Sequence, residues 1–179
     1  MKKTVLIFGL IAGLISTSMF IGMMLLGKKD HDIENGMLYG YTLMILAFSL
    51  IFVCTRIIRD KQNGGFISFG KAFRIGLYIT LIASTVYVLV WLIDYYVFIP
   101  DFAEKYSAHI LEKLKSSGAS EATIAAKTTE LESFNKMYKN PVFVILMTYV
   151  EILPVGLLVS LISAWISKRS RKADLAAAV

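Results

Sequence analysis

The sequence has few of the residues, and none of the short motifs, by which enzyme sites are commonly recognised. Its 179 residues include one cysteine, so an intramolecular disulfide is excluded. They contain no CxxC pair, no HExxH helix and no evident set of serine, histidine and acid. The glycine-rich stretch 63–71 lacks the lysine and hydroxyl residue that end a phosphate-binding loop. We therefore expect a protein that is not an enzyme and that needs no cofactor.

Metal-ligating residues are equally sparse. One group of acids with a histidine occurs in the loop after the first apolar run, at Asp30, His31, Asp32 and Glu34. Oxygen and imidazole ligands of this kind can hold a divalent ion. A solvated loop explains the same cluster, and we predict no metal site.

Long apolar runs are what the sequence has in abundance. Hydrophobic residues make up 56% of the chain, and four runs predict transmembrane helices over about 4–27, 37–58, 72–99 and 142–167. A helix of about 20 residues spans the hydrocarbon core of a bilayer, which is ~30 Å thick. We therefore predict an all-α fold, an integral membrane bundle of four transmembrane helices that forms one domain over 1–179.

Charged residues are distributed unevenly between the two sides that these helices define. The N-terminus, the loop after the second run and the C-terminal tail carry eleven basic residues against two acids. The remaining connections carry eight basic residues against nine acids. Because basic residues accumulate in cytoplasmic loops, we expect both termini in the cytoplasm. The net charge of +6 then reflects topology in the lipid bilayer, and we expect no binding to nucleic acid.

The segment 101–139, between the third and fourth runs, has the pattern of an extracytoplasmic amphipathic helical hairpin. Gly118 supplies a helix stop, and Ser120 is a suitable N-cap for a second helix. Apolar residues of the first helix recur every four positions between charged ones, at Phe102, Tyr106, Ile110 and Leu114. Such a hairpin either covers the mouth of its own bundle or docks a partner protein.

Glu151 is the most conspicuous polar residue, because it lies ten residues into the fourth run. A charged carboxylate at that depth costs on the order of 2.5–3.5 kcal/mol or more, and no basic residue lies at a comparable depth. We expect a protonated carboxyl, hydrogen-bonded within a layer of hydroxyls across the bundle. The candidate members of this layer are Ser16, Thr17, Ser18, Ser49, Ser84 and Thr85. The layer either joins the helices or forms part of a site where Glu151 binds a cation or relays a proton.

The sequence also predicts the settings of Pro154 and Asp94, two other residues within the runs. Pro154 removes a backbone donor and is expected to bend the helix beside Glu151. Asp94 lies about four residues from the end of the third run and is expected to reach interfacial water. Nearby Trp91, and Tyr41 at the start of the second run, are expected to anchor the helices at the membrane interface.

Small residues predict close helix packing. Gly9, Gly13 and Thr17 recur every fourth position, and Gly36 and Gly40 form a shorter stripe at the start of the second run. Stripes of this kind let two membrane helices approach closely. The partner helix belongs either to the same bundle or to a second copy of the chain.

Two longer motifs connect the chain to a family. The runs NGGFISFGKAFRIG over 63–76 and EILPVGLLVSLISA over 151–164 resemble the signature stretches of the domain-of-unknown-function family 4199. The resemblance also includes the first run and the amphipathic insert, hence nearly the whole chain. It implies a small multi-pass protein of the bacterial inner membrane, typical of Bacteroidota. It implies no activity, substrate or site residue.

Two functions remain open on this evidence. The first is a non-enzymatic accessory or interaction subunit that presents the 101–139 hairpin to a partner protein. The second is a small ion- or proton-coupled transporter or channel, formed as a homo-oligomer around Glu151 and the hydroxyl layer. The absence of catalytic motifs favours the first.

Overall fold

The computed structural model describes residues 2–26 and 33–168, with side chains from residue 36 in the second range, and within these ranges the regular structure is helical. Short π-helical turns follow two of the helices, at Ile58–Gln62 and at Asp94–Phe98. The α-helices, in chain order, are α1 Lys2–Ser16, α2 Ser18–Leu25, α3 Ile33–Ile57, α4 Phe69–Ile93, α5 Phe102–Ser116, α6 Glu121–Tyr138 and α7 Pro141–Ser167. The all-α prediction is confirmed.

Three helical segments are long and apolar enough to cross a membrane. They are Gly36–Gln62, Phe69–Phe98 and Pro141–Ser167, of 27, 30 and 27 residues. Helices α1 and α2 meet the same criteria only as a pair, and they are bent by 54° at their junction. The predicted membrane character is therefore confirmed, with three spanning helices or four if the bent pair counts as one.

The bend lies at Thr17, where hydroxyl side chains compete for the carbonyls of α1. Ser16 and Thr17 donate to the Gly13 carbonyl at 2.9 and 2.8 Å, and Ser18 donates to that of Ile15 at 2.8 Å. Hydroxyls that bond back to the preceding turn bend helices. Three such residues in succession explain why the first apolar run is two helices rather than one.

Helix α4 packs against both α1 and α7, and α3 packs against the same two helices. Glycines allow the close approach of α4. A Cβ atom added to Gly9 or Gly13 would lie 2.8 or 2.6 Å from the side chain of Ile82 or Val86. The stripe predicted on the first run is therefore used inside this chain.

Close approach at glycine also joins α4 to α7. A Cβ atom at Gly76 would lie 2.6 Å from the Ser160 hydroxyl, and one at Gly156 would overlap Thr80. The Thr80 and Ser160 hydroxyls are 3.2 Å apart and hydrogen-bonded across the interface. Small residues thus bring the two helices together and let a polar pair form between them.

Helices α5 and α6 pair with each other, and α6 also contacts α7. Gly118 has φ +73°, and the Ser120 side chain accepts a hydrogen bond from the Thr123 amide at 3.2 Å. Asn140 caps α7 in the same way by accepting from the Val142 amide at 3.0 Å, with Pro141 at the first position of the helix. The predicted stop at Gly118 and the predicted cap at Ser120 are confirmed.

Substituting Gly156 by alanine tests the α4–α7 contact. Overpacking a close interface typically costs about 1–3 kcal/mol, so we expect a lower midpoint of thermal unfolding in detergent. Gly22→Ala is the matched control, because no side-chain atom lies within 4 Å of a Cβ atom there. Equal unfolding midpoints for the two variants would show that the close approach at Gly156 contributes nothing.

Candidate functional site

A cavity of about 650 Å³ lies beneath α5 and α6, between them and the adjoining ends of α2, α3, α4 and α7. Its boundaries follow from the fold, since α2 turns away from α1 at Thr17 and leaves space beside α4. Gly36 and Gly40 of α3 face this space, where a Cβ atom at either position would meet no described atom within 4 Å. Among the described residues, the second glycine stripe therefore lines a cavity and packs against no helix of the same chain.

Aromatic and methionine side chains dominate the cavity wall. They come from every bounding helix and comprise Met19, Phe20, Met23, Met37, Tyr41, Tyr87, Trp91, Phe102, Tyr106, Phe134, Tyr138 and Met147. Methionine adapts to ligands of different shape, and aromatic rings offer large flat surfaces. Such a wall favours an apolar ligand.

Ring contacts hold the α5–α6 pair over the cavity. Trp91 of α4 contacts Phe20 of α2 at 5.2 Å and Phe102 of α5 edge-on at 5.0 Å, between ring centroids. Tyr138 of α6 contacts Phe134 at 4.9 Å and Tyr95 at 5.2 Å. Pairs at these separations contribute beyond their buried area, by about 0.5–1.5 kcal/mol each.

Tyr138 is a polar group in this cover. The Tyr95 hydroxyl donates to its backbone carbonyl at 3.4 Å, and the Tyr138 side chain is buried. Burial raises the pKa of the Tyr138 phenol to about 12. The phenol therefore stays neutral at physiological pH and adds no negative charge to the cavity.

Glu151 supplies a carboxyl to the cavity wall ten residues along α7 from Pro141, at the part of the wall that we call the floor. It lies on α7 within a turn of Met147 and Thr148, which also line the wall, and its side chain is exposed to this space. The buried Tyr87 hydroxyl donates to Glu151 Oε1 at 3.4 Å. Because this is long for an O–H···O bond, the carboxyl retains most of its capacity to accept.

Charged residues line the cavity wall on the α5–α6 side. His109 and Lys113 of α5, with Lys127 and Glu130 of α6, contribute to this wall. Lys127 and Glu130 form an ion pair of 2.7 Å. The α5–α6 part of the wall thus carries basic residues beside its aromatic ones, and the α7 part carries the acid Glu151.

The family of this chain follows from a match to a protein-family model. The model of the family described as "Protein of unknown function (DUF4199)" matches residues 7–169. The chain belongs to the DUF4199 family. Neither the comparison with curated proteins nor that with solved structures found a match. The matched range includes every helix that bounds the cavity of this DUF4199 protein.

The hydroxyl layer predicted around Glu151 does not assemble among the described residues. Thr17 donates to its own helix, and Ser49 does the same by donating to the Leu46 carbonyl at 2.6 Å. Thr85 donates to the Leu81 carbonyl at 2.8 Å and pairs with the Tyr149 hydroxyl at 3.0 Å. Thr17 and Ser49 are thus satisfied within their own helices, as hydroxyls in helices often are, and Thr85 pairs with Tyr149 of α7 rather than with Glu151. Matching depth therefore did not place these hydroxyls around Glu151.

Asp94 also differs from its predicted setting, whereas the bend expected at Pro154 stays a prediction. Asp94 is only 1% exposed, so the prediction that it reaches interfacial water is wrong. It continues the buried face of α4, three residues after Trp91 and seven after Tyr87. Pro154 is exposed, and α7 continues through it as one helix from Pro141 to Ser167.

Sequence reasoning missed the partner of Glu151. Tyr87 lies eleven residues before Phe98, the end of its spanning segment, much as Glu151 lies ten residues after Pro141. Equal depth and the four-residue spacing from Tyr87 to Trp91 were the available signals. Trp91 and Tyr41, which are predicted to anchor the helices at the membrane interface, both line the cavity.

The remaining candidates lie elsewhere. The acidic cluster at Asp30, His31 and Asp32 falls outside the described residues, as does the side chain of Glu34. Within the described residues, no group of three or more His, Cys, Asp or Glu side chains is placed to hold a metal ion. Cys54 is buried in α3.

The cover of the cavity can be tested with the two tryptophans of the chain. Replacing Trp91 by alanine removes a side chain that is 6% exposed and is expected to cost about 3–5 kcal/mol of unfolding free energy. Replacing Trp165, which is 66% exposed, should change it by less than about 0.5 kcal/mol. Hydrogen exchange of α5 and α6 should accelerate in Trp91→Ala alone. Unchanged exchange in these helices would contradict the role given to Trp91.

Proposed function

We propose that this DUF4199 protein is a non-enzymatic membrane protein that binds one small, largely apolar molecule in the cavity beneath α5 and α6. The observation that carries the proposal is the cavity itself. Its volume of about 650 Å³ is that of a drug-sized ligand site, which typically measures about 300–1,000 Å³. An apolar wall with a few convergent polar groups is the usual composition of such sites.

The proposal includes a topology with four spans. The α1–α2 pair forms a bent first span, α5 and α6 form a periplasmic hairpin, and both termini lie in the cytoplasm of a bacterial inner membrane. The Gln62 amide donates to the Thr4 hydroxyl, and Arg59 donates to the Ser167 carbonyl, each at 3.4 Å. The start of α1, the loop after α3 and the end of α7 therefore meet at one end, as an even number of spans requires.

The same arrangement suits an accessory or interaction subunit. The hairpin carries the cover of the cavity on one face and exposed charged residues on the other. A bound ligand would stabilise the position of α5 and α6, and so alter the surface offered to a partner protein. In this role the position of the hairpin depends on whether the cavity is occupied.

Transport coupled to ions or protons is the second candidate, and Glu151 favours it. An acid that faces a cavity within a spanning helix commonly marks an ion or proton path. In this role the chain acts as a homo-oligomer, because four spans enclose little volume. Proton uptake into vesicles that contain the protein, lost in Glu151→Gln, would separate transport from binding.

Filling the cavity tests the binding function. Gly40→Phe places a ring where a Cβ atom meets nothing within 4 Å, so the variant should fold and lose saturable binding of the neutral probe N-phenyl-1-naphthylamine. Gly22→Phe is the matched control, since that position is equally open and does not line the cavity. The wild type and the control should each bind one probe per chain by fluorescence titration. Equal binding by Gly40→Phe would refute the cavity as the site.

A reporter fusion tests the topology. Alkaline phosphatase, active only in the periplasm, is joined after Ser117 in the α5–α6 connection or after Val179. We expect activity from the first fusion and none from the second, because the basic residues mark the cytoplasmic side. The reverse pattern would overturn the orientation.

A further inference from the structure

The charge distribution of the cavity is asymmetric, and this inference rests on the proposed binding function. Among the described residues that α2, α3, α4 and α7 contribute to the wall, Glu151 is the ionisable carboxyl, and no basic residue accompanies it. The basic residues of the wall come from α5 and α6. A ligand that reaches the floor therefore meets one acid and no compensating cation.

The protein itself satisfies little of the hydrogen-bonding capacity of the Glu151 carboxyl. Its hydrogen bond within the described chain comes from Tyr87 at 3.4 Å. Neighbouring Thr148 lines the same wall but donates its proton to the Val144 carbonyl at 2.8 Å. A carboxylate in a low-dielectric site with so few partners gains strongly from a positive charge, so a bound cation favours the ionised carboxyl over the protonated form expected without a ligand.

Aromatic faces complete a setting for a cation. The Phe20 ring lies 5.5 Å from Tyr87 and 5.2 Å from Trp91, between centroids, so three rings border the space near Glu151. The faces of such rings attract cations, most strongly when water is excluded. The rings also offer the apolar surface that a lipophilic ligand needs.

We propose that the ligand is a lipophilic cation, an apolar molecule with one positive charge. Its charge lies against Glu151 and Tyr87 at the floor, and its apolar body packs against Phe20, Trp91 and Tyr138. An anionic amphiphile fits the floor poorly, since its charge would face Glu151. Within the cover, Lys127 is already paired with Glu130.

Two ions of nearly equal size and opposite charge test the proposal. Trp165→Phe leaves Trp91 in the cavity wall as the one tryptophan, so its fluorescence reports occupancy. Quenching by tetraphenylphosphonium should saturate, with an affinity at least about tenfold higher than that of tetraphenylborate, because charge-assisted contacts discriminate by that much. In Glu151→Gln this preference should disappear. Glu112→Gln removes an equal charge from the exposed face of α5, and this variant should keep the preference for the cation.

Glu151→Asp and the neutral probe keep the test decisive. Glu151→Asp retains the charge and should retain the preference for the cation. If both ions quench Trp91 equally, and Glu151→Gln changes neither, the lipophilic-cation proposal is wrong while binding of N-phenyl-1-naphthylamine still supports an apolar site. If the neutral probe also fails to bind, the proposed function itself is overturned.

Discussion

Close approach at glycine is the constraint on which the rest of this structure depends. Gly9 and Gly13 bring α1 against α4, and Gly76 and Gly156 bring α7 against the same helix. Lipid offers no hydrophobic drive for helices to associate, so dense packing at small residues must hold them together. Helix α4 is therefore fixed on two sides along most of its length.

The cavity exists because this packing stops before α4 does. Beyond Val86 the large rings of Tyr87 and Trp91 replace small residues on the buried face, and α2 leaves the line of α1 at Thr17. The helices diverge there, and α5 and α6 close the gap with aromatic contacts. The helices are thus tightly packed at the glycines of α1, α4 and α7 and separated where the cavity lies beneath α5 and α6.

Much of this fold could be predicted from the sequence because the signals are local. Apolar runs gave the long helices, and Gly118 with Ser120 gave the break between α5 and α6. The bend at Thr17 was missed, since hydroxyl back-bonding competes with helix continuity in a way that hydropathy does not record. The cavity could not be predicted, because it depends on which faces of six helices meet. Glu151 could be singled out by its depth, whereas its surroundings were misjudged when hydroxyls at the same depth were expected to turn toward it.

Native mass spectrometry of the protein, extracted from its own membrane in a mild detergent, tests the central claim most directly. The account predicts a single bound small molecule for each chain, retained by the Gly22→Phe variant and absent from Gly40→Phe. A chain that carries no such molecule, or one that carries it equally in both variants, would contradict the claim that this cavity is a binding site.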